Sequence, residues 1–360
     1  MTPLRRTIDF AFYPYVPVIS LELTNHCNLK CPYCSNPTLV RPKSYIEWSL
    51  VERIVEECAQ RNYNLGWLHG VGEPLLWDRL EETISLIKRK GAGDGSFATN
   101  GTLLRPARVR RLLDAGLESI YVSIDTLDAQ LYANTRGGKL EIIIRNIQDM
   151  IKIVPPSFQI TVALMSHKEQ SLTDQTIDQF HEVFGHHQNV RTNLVANQLF
   201  PSAPADYRVD PNERLRGCWS PRNFVFVALD GRVAICCMDQ EVLHSLGNVT
   251  ERSIHDIWFD PGNQTTLRNV ALGVFDCPSV CTDKCVLMKP RKLGMLAPEA
   301  VNAPFDEVME LTEWLLDHGQ KEQAIQMLKG LWNRAPSDML LERLQKLEQT
   351  QFAVPSVVPT

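Results

Sequence analysis

With 360 residues and 44% hydrophobic content, the chain can bury one large core or two smaller ones without help from disulfides. A formal net charge of −5, from 37 Lys and Arg against 42 Asp and Glu, argues against a protein that holds a polyanion through bulk positive charge, so nucleic acid is not an expected partner. The sequence has no apolar run of about 18 residues and no cleavable apolar leader, which reads as a soluble, unexported, cytoplasmic chain with no membrane partner. Ten cysteines in such a chain point to metal or cluster ligation, because a reducing compartment keeps thiols out of disulfides. Nine of the ten fall in three tight groups.

After an N-terminal segment, 1–17, residues 18–200 alternate short β-branched or apolar runs with longer amphipathic ones. The runs predict strands at Val18–Leu23, Trp67–Val71, Ser96–Thr99, Ser119–Ile124, Gln159–Leu164 and Val190–Val195. Helices are predicted between them, near 47–61, 78–90, 105–115, 139–153 and 172–184. Strict alternation means a parallel sheet covered by helices, here a curved or partly closed β/α barrel with its chemistry at the C-terminal strand ends. Residues 200–217 read as a connection. Beyond it, Phe224–Leu229 and Arg232–Cys236 flank Asp230-Gly231, a strong hairpin signal that places a small second domain at 201–289. Prolines 290, 298 and 304 separate a helical extension over 290–350. Its Gly319, Ala324, Leu328 and Pro336 stand where a tetratricopeptide-type helix pair has its turn, small, large and terminal residues. Such a pair either docks on the main body or captures a partner. The tail, 351–360, has the composition of a disordered segment.

Directly after the first strand stands Cys27-x3-Cys31-x2-Cys34. A structural zinc site wants four ligands and a redox pair two, whereas three thiolates on a cubane leave one iron open to a substrate. The residues alone leave a zinc loop completed by His26 as the other reading. This motif, with Tyr33 just before its last cysteine, resembles the cluster motif of the radical S-adenosylmethionine (radical SAM) superfamily. The resemblance implies a partial (β/α)6 barrel, a 4Fe-4S cluster and S-adenosylmethionine bound at the open iron. One electron then splits the cosubstrate to a 5′-deoxyadenosyl radical that removes a substrate hydrogen.

Further segments carry the same resemblance. His69-Gly70-Val71-Gly72-Glu73-Pro74 is similar to the family's Gly-Gly-Glu-Pro segment, with Val71 replacing the first paired glycine, which implies that Gly72 backbone and the Glu73 carboxylate bind the cosubstrate ammonium. Thr99-Asn100-Gly101 ends the third strand as in the family. On the fourth, alternation puts Ser123 and Asp125 on one face, where they reach the methionyl carboxylate or ribose hydroxyls if that face lines the barrel mouth. Asp125 is equally placed to cap the next helix. Arg136, before two glycines, resembles the family's carboxylate-receiving arginine; the other reading is an exposed loop arginine.

Cys218-x12-Gly231-x4-Cys236 and Cys277-x3-Cys281-x3-Cys285 supply the remaining groups. Cys236 and Cys237 are adjacent on a predicted strand, so only one faces a shared cluster. The first spacing, with Trp219, Leu246-Gly247-Asn248-Val249 and Ser253-Ile254-His255-Asp256-Ile257-Trp258, is similar to the SPASM extension of radical SAM enzymes, but the last group departs from the full two-cluster pattern. The resemblance therefore implies one auxiliary 4Fe-4S cluster, as in the shortened twitch version, on Cys218, Cys236, Cys281 and Cys285. Cys277 and Cys237 are reserves, and zinc remains the other occupant that this pattern describes. Cys58, on a helix among apolar neighbours, reads as core.

The implied function is a radical SAM oxidoreductase whose auxiliary cluster accepts the second electron, with an external one-electron reductant such as flavodoxin or ferredoxin. The expected substrate is a small polar, sugar- or cyclitol-like metabolite, since only about seventeen residues precede the first strand, too few for a leader-binding winged helix. The alternatives are a maturase acting on a ribosomally made peptide or carrier-bound substrate, and a non-catalytic metal-binding interaction protein. No residue is assigned as general base, although His69 is the best-placed histidine.

Overall fold

A computed structural model describes residues 16–165, 174–195, 224–272 and 338–349, with isolated positions between 309 and 328. Six parallel strands carry the barrel: β1 (Val18–Leu21), β2 (Leu65–Trp67), β3 (Phe97–Thr99), β4 (Ser119–Asp125), β5 (Gln159–Met165) and β6 (Val190–Val195). Between them run α1 (Trp48–Arg61), α2 (Leu80–Lys90), α3 (Pro106–Asp114), α4 (Ala129–Arg136), α5 (Leu140–Ile153) and α6 (Asp174–Phe184). Strands β3-β4-β5-β6 form one sheet, β2-β1 belong to another, and a parallel bridge from Trp67 to Ser96 closes the gap. This is the partial barrel expected from the alternation.

The burial pattern explains the layering. On β4, Ile120, Val122 and Ile124 are buried while Ser119, Tyr121 and Ser123 are half-buried. The apolar set joins one continuous core with Ile143, Ile147 and Met150 of α5, leaving the other set on the opposite, barrel-facing side. In α5, Leu140, Ile143, Asn146, Ile147 and Met150 are buried at helical spacing. Asn146 spends its amide on the Gly101 carbonyl at 2.9 Å, tying the helix to the end of β3.

Three differences from the sequence reading have physical causes. The second strand pairs at Leu65–Trp67, earlier than Trp67–Val71, because the chain beyond Trp67 leaves the ladder and turns toward the loop after β1. Helix α4 went unread: its buried residues are Leu131, Tyr132, Thr135 and Arg136, so polar side chains sit on its inner face and mask the apolar stripe. The predicted hairpin forms as β7 (Phe224–Val227) and β8 (Arg232–Ala234), followed by β9 (Ser245–Asn248), but β7 also pairs in parallel with β1. The second unit thus begins as an extension of the barrel wall, in the order β2-β1-β7-β8-β9.

Two short helices, α7 (Ile254–Trp258) and α8 (Pro261–Leu272), follow, and α9 (Asp338–Gln349) lies in the C-terminal extension. Ala324 and Leu328 there are buried. The remaining landmarks of that extension, the 200–217 connection and the 351–360 tail lie outside the described residues. None of the helices searched among the described residues is long and apolar enough to cross a membrane.

Helix α7 shows how the two parts are joined. Ser253 caps it by accepting from Asp256 N at 3.0 Å, and the Glu57 carboxylate of α1 accepts from Ile254 N and His255 N, each at 3.0 Å. A remote carboxylate thus satisfies donors that a helix start leaves unpaired. Glu57→Ala is expected to cost about 1–2 kcal/mol, the usual scale for losing an N-terminal cap, in urea unfolding. Glu56→Ala, whose half-exposed carboxylate pairs with Lys90, is expected to leave the unfolding midpoint nearly unchanged.

Candidate active site

The loop from Glu22 to Glu47 carries Cys27, Cys31 and Cys34, and its base is zipped shut. Thr24 bridges Tyr45, Ile46 N donates to Leu23 O at 2.9 Å, and Ser44 N donates to Asn25 Oδ1 at 2.7 Å. Buried Asn36 donates to the carbonyls of Asn25 and Val71 at 2.8 and 2.7 Å. Lys43 Nζ donates to Asn25 O, Asn36 O and Asn36 Oδ1, all at 2.9 Å. His26, the candidate fourth zinc ligand, stacks on Tyr45 with ring centroids 4.7 Å apart. Among the described residues no group of three or more His, Cys, Asp or Glu is gathered to hold a single metal ion.

The three thiols feel one another. Burial pushes Cys27 and Cys31 up and Cys34 up to about 11; the Glu73 charge adds to this at Cys27 and neighbouring thiolates add to it at Cys31 and Cys34, while the Arg136 guanidinium opposes it in each case. A bound group must therefore supply positive charge in order to deprotonate them, as iron does. Three thiols on one loop, each within the influence of a buried cation, suit a 4Fe-4S cluster with one iron open.

The Gly72 segment packs directly on this loop. A Cβ at Gly72 would lie 2.1 Å from Thr24 O and 2.8 Å from His26 O, so no side chain is tolerated there. Glu73 N donates to His26 O at 2.8 Å. The Glu73 side chain is 2% exposed and accepts from Leu75 N, Thr99 Oγ1 and Asn100 N at 3.2, 2.7 and 2.8 Å. Burial pushes its carboxyl up while these donors oppose the shift. Oε1 takes two of the three bonds, so Oε2 keeps capacity for one further donor. Asn100 Nδ2 reaches Asn28 Oδ1 at 2.8 Å and approaches Cys27 Sγ at 3.9 Å.

Asp125 sits at φ +66°, in the left-handed region, with Thr126 N bonded to Ile124 O at 2.8 Å. This γ-turn is strained for a non-glycine residue. A register shift between Ser123 and Asp125 against β5 accompanies it, so simple alternation does not carry through to Asp125. Its carboxylate takes Arg136 in a fork, Nε to Oδ2 at 2.7 Å and Nη2 to Oδ1 at 2.6 Å, and also accepts from Tyr33 Oη. Asp125 is therefore not the cap of α4; Asp128 is, accepting from Leu131 N at 2.7 Å. Arg136 is the buried last residue of α4, not an exposed loop arginine, and one edge of its fork is already occupied. Ser123 stays half-buried on the barrel side.

Sequence reasoning missed the buried pair of Glu22 and Arg41. Arg41 Nη1 and Nη2 meet the two Glu22 oxygens at 2.9 and 3.0 Å, and Arg41 Nε donates to Gln240 O at 2.6 Å. Val71 N and Leu229 N approach the same carboxylate at 3.5 and 3.3 Å, while Glu241 accepts from Val40 N and Arg41 N. The first thiol loop, the Gly72 segment and the hairpin thus meet at one ion pair. A charged residue inside the apolar run Val18–Leu23 was the available signal, since buried carboxylates are paired.

Of the expected auxiliary ligands, Cys218, Cys281 and Cys285, and the reserve Cys277, lie outside the described residues. Cys236 and Cys237 lie just past β8 in a turn instead of on the strand. Their chain neighbours nonetheless separate them: Cys236 belongs to the main core, whereas Cys237 packs against Phe226, Ala228, Ala234 and Val242. Cys58 is core, with burial pushing its thiol up to about 12. His69 lies at the end of β2 edge-on to Trp67, with ring centroids 5.2 Å apart, and Trp67 in turn meets Tyr121 edge-on at 6.5 Å. Its Nδ1 is buried without a partner, and burial pushes the imidazole down to about 4.

Two outcomes follow from these buried groups. Glu22→Leu or Arg41→Met alone strands a buried charge and is expected to cost about 3–5 kcal/mol. The double variant should cost clearly less than the sum in urea unfolding, and additive losses would contradict the pairing. For His69, the neutral form is the folded one, so its contribution is complete above the ordinary value of 6.5 and is lost as pH falls toward about 4. At about 1.4 kcal/mol per unit, the unloaded protein should lose on the order of 3 kcal/mol more than His69→Phe between pH 7 and pH 4.

Residues 21–179 match the radical SAM superfamily, and residues 218–286 match an iron–sulfur cluster-binding domain of the SPASM type. The probable GTP 3′,8-cyclase of Methanococcus aeolicus is 32% identical over 166 residues, 43% of this chain and 53% of that protein. A GTP 3′,8-cyclase of a Synechococcus strain is 38% identical over 123 residues, 33% of this chain and 35% of that protein. The chain thus spans about half or less of these curated relatives' length. In fold it is similar to Streptococcus suis SuiB bound to S-adenosylmethionine (TM-score 0.55, 14% identity, 84% of this chain and 78% of that one). It is likewise similar to native anSMEcpe with bound AdoMet (TM-score 0.54, 14% identity, 76% and 93%). Thiol loop, barrel and both matches agree: the chain carries a radical SAM domain over residues 21–179 and a SPASM-type iron–sulfur cluster-binding domain over residues 218–286.

Proposed function

We propose that this chain is a radical SAM oxidoreductase that removes a hydrogen atom from a peptide or carrier-bound substrate. The observation that carries the chemistry is the packing of the Cys27–Cys34 loop against the Gly72-Glu73 segment and Asn100, with the buried Tyr33–Asp125–Arg136 cluster formed from the same loop, β4 and α4. A 4Fe-4S cluster and S-adenosylmethionine bound there supply one-electron cleavage of the cosubstrate and a hydrogen-abstracting radical.

The chain's own residues prepare that site. Gly72 backbone and the open capacity of Glu73 Oε2 receive the cosubstrate ammonium. Asp125 holds one edge of Arg136, so the remaining guanidinium donors stay aimed at the carboxylate without losing side-chain freedom on binding. Ser123 and Asn100 offer hydroxyl and amide groups to the ribose and carboxylate. Cys218, Cys236, Cys281 and Cys285 would hold the auxiliary 4Fe-4S cluster, which would supply an acceptor for the second electron. A flavodoxin or ferredoxin in the cytoplasm supplies the first.

Two observations support the macromolecular substrate. SuiB bound to its precursor peptide shares the fold at TM-score 0.54, as does anSMEcpe with a bound peptide at 0.52. A small polar metabolite is the second reading. It is favoured by the polar and aromatic barrel face of Trp67, His69, Tyr121 and Asn193, where Asn193 Nδ2 donates to Tyr121 Oη at 3.0 Å.

Anaerobic reduction with S-adenosylmethionine should yield 5′-deoxyadenosine, and replacing Cys27, Cys31 and Cys34 by Ala should abolish it. Iron should fall from about eight to about four per chain, one cubane for each site. Deuterium carried from a labelled peptide into 5′-deoxyadenosine supports the lead reading; transfer only from a labelled small metabolite supports the second. A parent that binds iron yet cleaves no cosubstrate would be the non-catalytic protein instead.

A further inference from the structure

Tyr132 is wholly buried in α4, one turn before Arg136. A Cβ built on Gly138 would stand 3.2 Å from Tyr132 Cε1, 3.7 Å from its Oη and 3.9 Å from Leu29 Cδ2, so the phenol tip lies where α4 meets the chain between Cys27 and Cys31. That hydroxyl has no hydrogen-bond partner. Burial pushes it up to about 12, and the charges it senses belong to Arg136, Cys31 and Asp125. A buried donor left unsatisfied costs about 1–3 kcal/mol, and a phenylalanine would fill the same space without that cost.

Polar groups on α4 and at the end of β4 hold other donors. The Asp125 carboxylate takes the Arg136 fork and Tyr33 Oη, and the carbonyls of Leu131 and Tyr132 itself accept from Thr135 Oγ1. Among the groups whose charge the phenol senses is the Cys31 thiol, on the loop against which Gly138 packs.

We propose that Tyr132 Oη donates a hydrogen bond to a sulfur of the first cluster on its Cys31 side, and so tunes that cluster's reduction potential. The inference rests on the cluster reading above and adds a residue outside the cysteine motif. A hydrogen bond to sulfur favours the more negative, reduced cluster, so removing it lowers the potential.

The test is Tyr132→Phe, reconstituted anaerobically beside the parent. Each is poised over a series of potentials and followed by EPR on the signal that S-adenosylmethionine perturbs. With iron content unchanged, the ratio of reduced to oxidised cluster should fall about tenfold at the parent's midpoint, a shift of roughly 59 mV to the negative. An unchanged midpoint with full iron overturns the proposal.

Thermal unfolding gives a second, independent sign. Without iron, Tyr132→Phe should be as stable as the parent or more so; with the cluster loaded, it should be less stable. Equal losses in both states would mean an internal partner and overturn the proposal. A parent that binds no iron through Cys27, Cys31 and Cys34 would instead remove the cluster reading, and this inference with it.

Discussion

The buried ion pair between Glu22 and Arg41 holds this structure's chemistry in place. Removing two charges from water is costly, and it is tolerated only where geometry and further hydrogen bonds compensate. Here each partner is satisfied by groups from different segments: the end of β1, the thiol loop, the turn before Gly72, and the hairpin of the auxiliary unit. None of these segments can move far without stranding a charge. A buried pair of this kind adds little net stability over an apolar one, but it permits one arrangement of the four segments, and the site needs that arrangement.

The same logic recurs at the opposite wall of the site. Asp125 accepts backbone strain at the end of β4, and the return is a fixed guanidinium beside the thiols. Arg136 lowers the cost of thiolate charge in a place where burial raises it. The two devices differ in purpose. Glu22 with Arg41 fixes where the loops are, whereas Asp125 with Arg136 fixes the field in which the thiols and their bound group work. Gly72, pressed on the Thr24 carbonyl, brings the Glu73 segment against the thiol loop.

Much of this was legible in the sequence because it is periodic or local. The strands at 119–125, 159–165 and 190–195 and the long helices follow from apolar spacing, and the thiol loop from its own three cysteines. Asp230-Gly231 announced the hairpin. What was not legible depends on partners far along the chain. Arg41 meets Gln240 across 199 positions, β7 chooses β1 as its neighbour, and Glu57 caps a helix 197 positions away. No local pattern encodes those choices. Helix α4 was missed for a different reason: its inner face carries Thr135, Arg136 and the Tyr132 hydroxyl, polar groups placed there for the site at some cost in patterning.

The proposed chemistry requires an iron with a free position to take the amino acid end of S-adenosylmethionine. Electron–nuclear double resonance on the reduced, oxygen-protected protein, with the cosubstrate labelled with ¹⁵N at its amino group and ¹⁷O at its carboxylate, reads that contact directly. Hyperfine coupling from both labels, lost when Cys31 is changed to Ala, is the expected result. A reduced cluster that shows neither coupling, or zinc in place of iron among these thiols, would contradict it.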